Sequence, residues 1–206
     1  MHRGSISASQ EEPEYFHRYK AEWLASHFSR TEPVLDFGAG VGSLTRELTP
    51  RFDEVHGYDP SSESLELARE RAPSAYLVHD RSKLREGYYG VAILANVLHH
   101  VPVEERAELM EFVASRLRPG GSLVLWEHNP LNPLTRRAVR DCPFDEGVTL
   151  LWPREMRKLQ RKAGMKKLRR DWVVFFPATL SKLRFMESSL RLCPLGAQCV
   201  VVGVRP

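Results

Sequence analysis

The sequence lacks the features that place a chain in a membrane or in an oxidising compartment. None of its apolar runs approaches the roughly 20 residues that a membrane-spanning helix needs. The polar N-terminus has no apolar core of the kind that a signal peptide carries. The 3 cysteines, Cys142, Cys193 and Cys199, form no C-x-x-C pair. This usage predicts reduced thiols and a cytoplasmic protein.

A large excess of charge of one sign is also missing. The sequence has 30 Lys and Arg residues and 26 Asp and Glu residues, which gives a net charge of +4. Such a balance suits an anionic substrate, a membrane surface or nucleic acid, and equally suits a protein with no charged partner. The length of 206 residues fits one domain with a sizeable core. We expect a flexible N-terminus over 1–12 and a single domain over 13–206.

What the sequence does contain is an alternation of short apolar strands with amphipathic helices. Strands that alternate with helices predict a parallel sheet in a doubly wound α/β domain. R-P-G-G at 118–121 reads as a turn before the fifth strand. The predicted strands are 33–38, 54–59, 75–80, 90–96 and 122–128, and the predicted helices are 13–28, 41–48, one capped by Ser61 or Ser62, and one that begins at Pro102.

The C-terminal part of the chain has a different order of elements. Residues 152–165 predict a helix, and residues 166–176 and 197–204 predict two strands separated by a helical insertion. A closing antiparallel pair at one edge of the sheet accounts for this order.

A glycine-rich segment, D-F-G-A-G-V-G, runs from Asp36 to Gly42 directly after the first strand. Glycines allow positive φ and close approach of a ligand to the backbone, and doubly wound sheets bind nucleotides at this end of their strands. Ser43 stands where the dinucleotide fingerprint requires its third glycine. Asp36 lies beside the place where a pyrophosphate would lie, and its negative charge is unfavourable for binding a phosphate. The segment therefore favours a ligand with a cationic amino group and no phosphate.

At this point the chain resembles the class I S-adenosylmethionine-dependent methyltransferases. The resemblance covers residues 15–130 with the motifs in order, namely VLDFGAGVGSLTREL, VHGYDPSSESLELAR, LVHDRSKL, ILANVLHHV and LRPGGSLVLWE. It implies a mostly parallel seven-stranded sheet with an antiparallel last strand and helices on both faces. The implied parts are an N-terminal helix over 13–30, a cofactor-binding core over 31–128, and an acceptor-side segment with the closing strands over 129–206.

The resemblance implies S-adenosylmethionine as the methyl donor and S-adenosylhomocysteine as the product. Asp59 would accept hydrogen bonds from the ribose hydroxyls, and Asp80 would accept one from the adenine amino group. The alternative for Asp59 is a helix cap, and the alternative for Asp80 is a turn. Asn96 would lie beside the methionine part of the donor or form a turn. The expected donor-binding residues are Asp36, Phe37, Gly38, Ala39, Gly40, Gly42, Asp59, Pro60, Asp80, Arg81, Ser82, Asn96 and Val97.

The expected catalytic residues, His99, Glu127 and His128, follow the fourth and fifth strands. A base helps only when the methyl acceptor holds its proton at neutral pH, as an alcohol does. In similar enzymes the position of His99 often faces the acceptor, so we expect His99 to be a general base or to orient the substrate. Glu127 and His128 would line the acceptor pocket. The alternative is that His99 and His100 only pack or hydrogen-bond the loop.

The segment from Glu127 to Gly147 is unusually polar for a connector. Asn129 and Asn132 precede prolines, which favour extended backbone, so their amides could form a pocket wall. The helically spaced Arg136, Arg137 and Arg140 could bind a phosphate or carboxylate, or pair with Asp141. A surface loop with capping asparagines is the alternative interpretation.

The expected acceptor is a small molecule, methylated on oxygen or nitrogen before carbon, by a monomer or homodimer. No zinc-ligand spacing is present, so no metal is expected. Nucleic acid is disfavoured, because the basic stretch 157–170 carries an apolar stripe. FFPATLSKLRFMESSLRL mixes apolar and basic residues, which leaves open a lipid-linked acceptor, contact with a membrane surface, a lid or a dimer face.

Three other functions stay open from the sequence. The chain could be a noncatalytic S-adenosylmethionine-binding partner subunit, although its glycine segment is intact. It could act on RNA or protein. A nicotinamide-dependent oxidoreductase is disfavoured by Ser43 and Asp36.

Overall fold

The computed structural model describes residues 7–141 and 147–206. The contacts within the chain group into two compact units, residues 1–84 and residues 85–206. Our expectation of a single domain over 13–206 therefore stays a prediction. Residues 1–6 of the expected flexible N-terminus and Cys142 lie outside the described residues.

Within residues 7–84, the first unit contains three parallel strands and three α-helices. β1 pairs with β2 and β2 pairs with β3, in parallel. All four residues of β1 are buried, as expected of a strand that is covered on both faces. The elements are α1 (Ser7–His27), β1 (Val34–Phe37), α2 (Ser43–Leu48), β2 (Val55–Tyr58), α3 (Ser62–Arg71) and β3 (Tyr76–Val78).

The first residues of helices α1 and α3 can be compared with the sequence predictions. Helix α1 begins at Ser7, so residues 7–12 lie in a helix, and the expected flexibility of this part of the chain stays a prediction. The Ser61 hydroxyl accepts the Ser64 N–H at 3.1 Å, which confirms Ser61 as the cap of α3. Leu65 and Ala68 of this helix are buried against β3, as the helical spacing predicts.

The second unit contains four strands and four helices within its described residues. β4 is parallel to β5, and β7 is antiparallel to both β5 and β6. Short 3₁₀ turns follow β4 at Leu98–His100 and precede α7 at Ala178–Met186. The elements are β4 (Tyr89–Ala95), α4 (Arg106–Arg116), β5 (Leu117–His128), α5 (Pro133–Arg140), α6 (Pro153–Lys162), β6 (Lys166–Val173), α7 (Glu187–Leu190) and β7 (Gln198–Val204).

The seven strands form one sheet in the order β3-β2-β1-β4-β5-β7-β6. This confirms the predicted fold class, a mostly parallel seven-stranded sheet with an antiparallel last strand and flanking helices. None of the helices in the described ranges is both long and apolar enough to cross a membrane.

Helix α4 begins later than the sequence predicts. Its first residue is Arg106, because the residues after Pro102 form a turn first. The face that is fully buried carries Met110 and Val113, whereas Leu109 is half-buried.

The predicted turn at 118–121 lies inside strand β5. Gly120 has a φ of 78° and donates its N–H to the carbonyl of Arg205 at 2.9 Å, and Arg205 donates to Gly121 at 2.8 Å. The pairing with β4 shifts in register between Tyr89 and Val91. Pairing on both sides thus carries the strand through residues whose local preference is a turn.

Candidate active site

The glycine segment turns the chain from β1 into α2. Gly38, Gly40 and Gly42 all have positive φ, at 92°, 52° and 77°. The N–H groups of Gly38 and Ala39 donate to the carbonyl of Tyr58 at 2.7 and 2.9 Å. Because L side chains rarely adopt such φ, three alternate glycines are what allow this path.

Gly42 and Gly40 meet different surroundings. A Cβ on Gly42 would lie 2.8 Å from the backbone and Cβ of Ala68, whereas a Cβ on Gly40 would meet nothing within 4 Å. Gly42 is therefore required by the packing of the loop on α3. Gly40 borders open space, which is what a bound ligand needs.

Asp59 connects the glycine segment to the start of α3. Its Oδ2 accepts the Gly40 N–H at 2.8 Å and its Oδ1 accepts the Ser61 N–H at 2.9 Å. Each carboxylate oxygen retains a further lone pair that can accept a hydroxyl. Asp59 thus orders the turn before α3, whose cap is Ser61, and this leaves room for the ribose role.

Asp36 is buried, with 1% of its surface exposed. The Thr45 hydroxyl donates to its Oδ2 at 2.7 Å. Burial raises the pKa of Asp36 to about 6, and Asp59 adds to this, while the Thr45 hydrogen bond and Lys20 oppose it. The carboxyl group therefore braces the first turn of α2 from behind the loop.

The expected adenine-side residues form a short capped turn. Asp80 accepts the Ser82 N–H at 2.9 Å and caps the turn Arg81–Lys83. The hydrogen bonds from the Ser82 side chain and backbone hold the pKa of Asp80 below its usual value. The turn interpretation of Asp80 is thus observed, and a ligand role stays a prediction.

Two other expected donor-site residues differ in exposure. The Phe37 ring is buried and lies 4.5 Å from the Tyr58 ring. Burial, with Asp59 and Asp80 nearby, raises the pKa of Tyr58 against the effect of Arg81. Pro60 is exposed. Phe37 thus supports the loop from within the core.

The first unit fits S-adenosylmethionine by the chemistry of its groups. Between Asp36 and Gly42 the chain carries no Lys or Arg, so the loop has no side chain that would neutralise a phosphate. Gly40 borders open space, and Asp59 offers carboxylate oxygens beside it. These groups suit a ligand with ribose hydroxyls and a positive charge.

In the second unit, strand β4 ends at a strained residue. Asn96 has a φ of 59°, a region that asparagine tolerates better than most residues. Its N–H donates to the carbonyl of Trp126 at 2.8 Å. Its buried Oδ1 accepts no hydrogen bond in the described structure, so it is able to accept one from a ligand. Val97, which follows, is half-buried.

A buried carboxylate and imidazole lie at the ends of β4 and β5. Nδ1 of His99 lies 2.6 Å from Oε2 of Glu127, and each side chain is 1% exposed. Oε1 of Glu127 accepts the Leu98 N–H at 2.9 Å. Because an ionised carboxylate only accepts, Nδ1 carries the shared proton, and Nε2 of the neutral ring is the basic nitrogen.

Two further imidazoles surround His99. The His100 ring centroid lies 4.2 Å from that of His99, and the His128 centroid lies 5.5 Å from it. His128 is half-buried and pairs with Gln198 of β7, whereas His100 is exposed. The structure therefore brings together all three expected catalytic residues. Within residues 7–141 and 147–206, no three His, Cys, Asp or Glu side chains are placed to hold a metal.

The two asparagines hold the segment after β5 in place. Asn129 is fully buried, and its Nδ2 donates to the carbonyls of Pro194 and Gly196 at 3.0 and 2.7 Å. Oδ1 of Asn132 accepts the N–H groups of Leu134 and Thr135 and so caps α5. The expectation that these amides form a pocket wall is wrong, because both are used to brace the chain.

The arginines of α5 are exposed. Arg136, Arg137 and Arg140 line, with Pro133, a groove of about 320 Å³. Asp141 lies 3.6 Å from Arg137 and 3.4 Å from Arg140, so the pairing considered from the sequence is present. Such exposed pairs are weak and leave the arginines accessible to an anion.

The sequence did not reveal that Glu127 holds His99. A usable signal was present, because β4 and β5 are parallel and Ala95 pairs with Trp126. Residues just beyond that pair leave the sheet at the same edge. An acid after one strand and a histidine after its neighbour are thereby brought within reach.

The comparisons with known proteins agree with this geometry. The family model described as a methyltransferase domain matches residues 9–176. The chain therefore belongs to the methyltransferase domain family, whose members use S-adenosylmethionine. The fold class, the methyltransferase family and the cofactor of that family, all predicted from the sequence, are confirmed at this level.

Among curated relatives, the trans-aconitate 2-methyltransferase of Mycobacterium ulcerans is 32% identical over 152 residues, which cover 66% of this chain and 57% of the relative. An uncharacterised methyltransferase of Exiguobacterium sibiricum is 27% identical over 117 residues, 55% of each chain. The chain thus spans little more than half the length of these relatives.

Among solved structures, a methyltransferase of Archaeoglobus fulgidus that depends on S-adenosylmethionine has a TM-score of 0.72 at 13% identity, covering 93% of this chain and 94% of that one. The magnesium protoporphyrin IX methyltransferase of Synechocystis, solved with bound S-adenosylhomocysteine, has a TM-score of 0.65 at 19% identity, covering 98% and 89%. At these identities the likeness shows the fold.

Proposed function

We propose that this protein transfers a methyl group from S-adenosylmethionine to an oxygen or nitrogen atom of a small acceptor, with His99 as the general base. The observation that carries the proposal is the buried hydrogen bond of 2.6 Å between His99 and Glu127. A buried carboxylate that fixes one imidazole tautomer is an arrangement suited to proton removal.

The donor side of the proposal rests on the first unit. S-adenosylmethionine, when bound, supplies an electrophilic methyl group on a sulfonium. The Gly40 edge of the loop, Asp59 and Asp80 are proposed to hold its nucleoside part. Asn96, whose buried Oδ1 accepts no hydrogen bond in the described structure, is proposed to hold its amino acid part.

The acceptor side rests on the second unit. Nε2 of His99 takes the proton of the acceptor hydroxyl or ammonium, and the positive charge that forms on the ring is stabilised by Glu127. The Leu98 N–H holds the Glu127 carboxylate in place through its second oxygen. His128, half-buried beside the His99 ring, is proposed to contact the acceptor.

Titration calorimetry and an acceptor screen test the two halves separately. We expect S-adenosylmethionine and S-adenosylhomocysteine to bind the wild-type protein and His99→Gln alike. A screen of alcohols, amines and carboxylates, followed by detection of methylated products, should give turnover with alcohols or amines that His99→Gln removes. A folded protein that binds neither nucleoside contradicts the proposal.

Comparing acceptors that carry a proton with carboxylates, which do not, tests whether His99 is a general base independently of donor binding. A carboxylate acceptor has already lost its proton and needs no base. If only carboxylates are methylated, and His99→Gln is as active as the wild type, the donor assignment stands and the general base is wrong. His100→Gln is the matched control, because this ring is exposed next to His99.

A further inference from the structure

The covering segment, residues 179–195, exposes large apolar side chains. These are Leu180, Leu183, Phe185, Met186, Leu192 and Leu195, with 48%, 38%, 77%, 44%, 70% and 66% of their surfaces exposed. Contiguous apolar exposure of this kind marks an interaction surface in soluble proteins.

The ionisable side chains exposed in the covering segment are all basic. Lys182 and Arg191 are exposed, and Arg184 is half-buried. The one acid between Thr179 and Leu195 is Glu187, which is 8% exposed. Its Oε1 accepts the N–H groups of Phe175 and Phe176 at 3.0 and 3.3 Å. The acid therefore fixes the segment through backbone N–H groups.

Helix α5 is joined to the covering segment by side-chain hydrogen bonds. Nδ2 of Asn132 donates to the carbonyl of Leu195 at 2.7 Å. The chain at this end of α5 exposes Leu131 by 47% and Leu134 by 77%. Asn129 bonds the neighbouring carbonyls of Pro194 and Gly196. The chain before α5 is thus tied to the end of the covering segment at Leu195, and both stretches expose leucines.

The same helix adds positive charge to this surface. Among residues 133–141, Arg136, Arg137 and Arg140 are the exposed cations and Asp141 is the exposed acid, and Asp145 and Glu146 follow in the sequence. Together with Lys182 and Arg191, five exposed cations accompany the leucines. Apolar residues that enter an interface, surrounded by Lys and Arg, match the composition of segments that lie on anionic bilayers.

We propose that α5 and the covering segment form a docking surface for an anionic lipid membrane. Leu131, Leu134 and Leu195 enter the headgroup layer, and the arginines of α5 contact the lipid phosphates. The surface begins at the carboxyl end of β5, which carries Glu127 and His128. Docking would therefore place the acceptor side of the protein at the bilayer, which suits an amphiphilic acceptor.

A second copy of the chain fits this surface less well. A two-fold symmetric contact places a patch against the same patch of the other copy, so the exposed cations of both copies, which outnumber the described acid Asp141, would be brought together. A bilayer with anionic headgroups supplies the opposite charge and accepts the apolar side chains together.

Vesicle co-sedimentation of the full chain tests the proposal, with neither donor nor acceptor present. We expect binding to vesicles of phosphatidylcholine mixed with phosphatidylglycerol, weaker binding to phosphatidylcholine alone, and loss of binding as ionic strength rises. Because no methyl transfer is involved, failure here is distinct from failure of the proposed function, which calorimetry with the donor decides.

Paired variants locate the surface. Leu134→Ser with Leu195→Ser should weaken binding about tenfold, and Arg136→Ser with Arg140→Ser should weaken it by about fivefold for each charge. Val103→Ser and Leu67→Ser remove exposed apolar side chains elsewhere, and Lys158→Ser with Lys162→Ser removes charges from α6. These control variants should bind as the wild type does.

Three results would overturn the proposal. The first is an absence of binding to anionic vesicles at low ionic strength. The second is binding that the control variants weaken as much as the α5 variants do. The third is a dimer in sedimentation equilibrium that Leu134→Ser with Leu195→Ser dissociates, which would assign the surface to a second copy of the chain.

Discussion

Nδ1 of His99 and Oε2 of Glu127 are joined by a buried hydrogen bond of 2.6 Å. The two residues are separated by 28 positions in the chain and are brought together by adjacent parallel strands. Glu127 is therefore a positioning residue, since it acts through the imidazole and through the Leu98 N–H. Its function can be separated from that of His99 by substitution.

Glu127→Gln should lower kcat by about 100-fold and leave donor affinity unchanged. The glutamine amide would place a donor against Nδ1, which favours the tautomer whose Nε2 carries the proton and cannot act as a base. His99→Gln should lower kcat at least as much. Steady-state kinetics with calorimetry on the same preparations measures both quantities. Equal losses of kcat and donor affinity in Glu127→Gln would indicate a structural role.

Asp59→Ala should weaken donor binding by about 1–3 kcal/mol, because a carboxylate that can accept hydroxyls is removed. Ser61→Ala is the matched control, since it removes the α3 cap and leaves the Asp59 side chain in place. Calorimetry measures the affinity and thermal unfolding measures the stability. If Ser61→Ala weakens donor binding as much as Asp59→Ala, Asp59 acts only by ordering the helix start.

Asp36→Asn should stabilise the protein near neutral pH. The pKa of Asp36 is raised by burial from 3.8 to about 6, so between these values the folded chain binds the proton more tightly than the unfolded chain does. Stability contributed by this proton is present at low pH and is lost as the pH rises through 6. An asparagine carries no charge, so the variant should gain on the order of 1–3 kcal/mol at pH 7.

Urea denaturation as a function of pH measures this effect. The difference between Asp36→Asn and the wild type should be small near pH 4 and largest above the folded pKa of about 6. The same substitution at exposed Asp53 is the control. A difference that is constant over this range would show that Asp36 does not titrate as described.

Gly42→Ala should destabilise the fold by about 2–4 kcal/mol, because its Cβ would overlap Ala68 and its φ is positive. Gly40→Ala should cost about 1–2 kcal/mol from φ alone. Unlike Gly42→Ala, the Gly40→Ala variant is expected to act mainly on donor affinity, which it should reduce, because the new methyl group would occupy open space beside Asp59. Thermal unfolding and calorimetry of both variants give the comparison. Unchanged donor affinity in Gly40→Ala would place the ligand elsewhere.

Asn129→Ala should destabilise the protein by about 2–3 kcal/mol and leave donor affinity unchanged. The substitution leaves the carbonyls of Pro194 and Gly196, of which the second is buried, without the Asn129 donor. His128→Ala, at the preceding position, should instead raise the KM for the acceptor. Chemical denaturation and kinetics distinguish the two. A raised KM for Asn129→Ala with unaltered stability would return this amide to the acceptor pocket.

The predictions that succeeded share a local cause. The three alternate glycines after β1 and the serine before α3 determine backbone conformation within a few residues, so their motifs predicted the loop and the cap. The alternation of strands and helices likewise predicted the sheet, because each strand is a short apolar run between breakers. The turn at 118–121 was placed wrongly, since strand pairing overrides local preference there. Helix α4 begins later than predicted because the residues after Pro102 form a turn first.

The sequence by itself determined the fold class, the glycine loop and the likeness to methyltransferases, because each depends on residues that are close together in the chain. The tertiary structure decided what the polar segment after β5 does. Its asparagines brace the loop at 194–197, and Glu127 bonds His99 across two strands. These partners lie 67 and 28 residues apart, and contacts at such separation are set by strand register, which the local sequence does not encode.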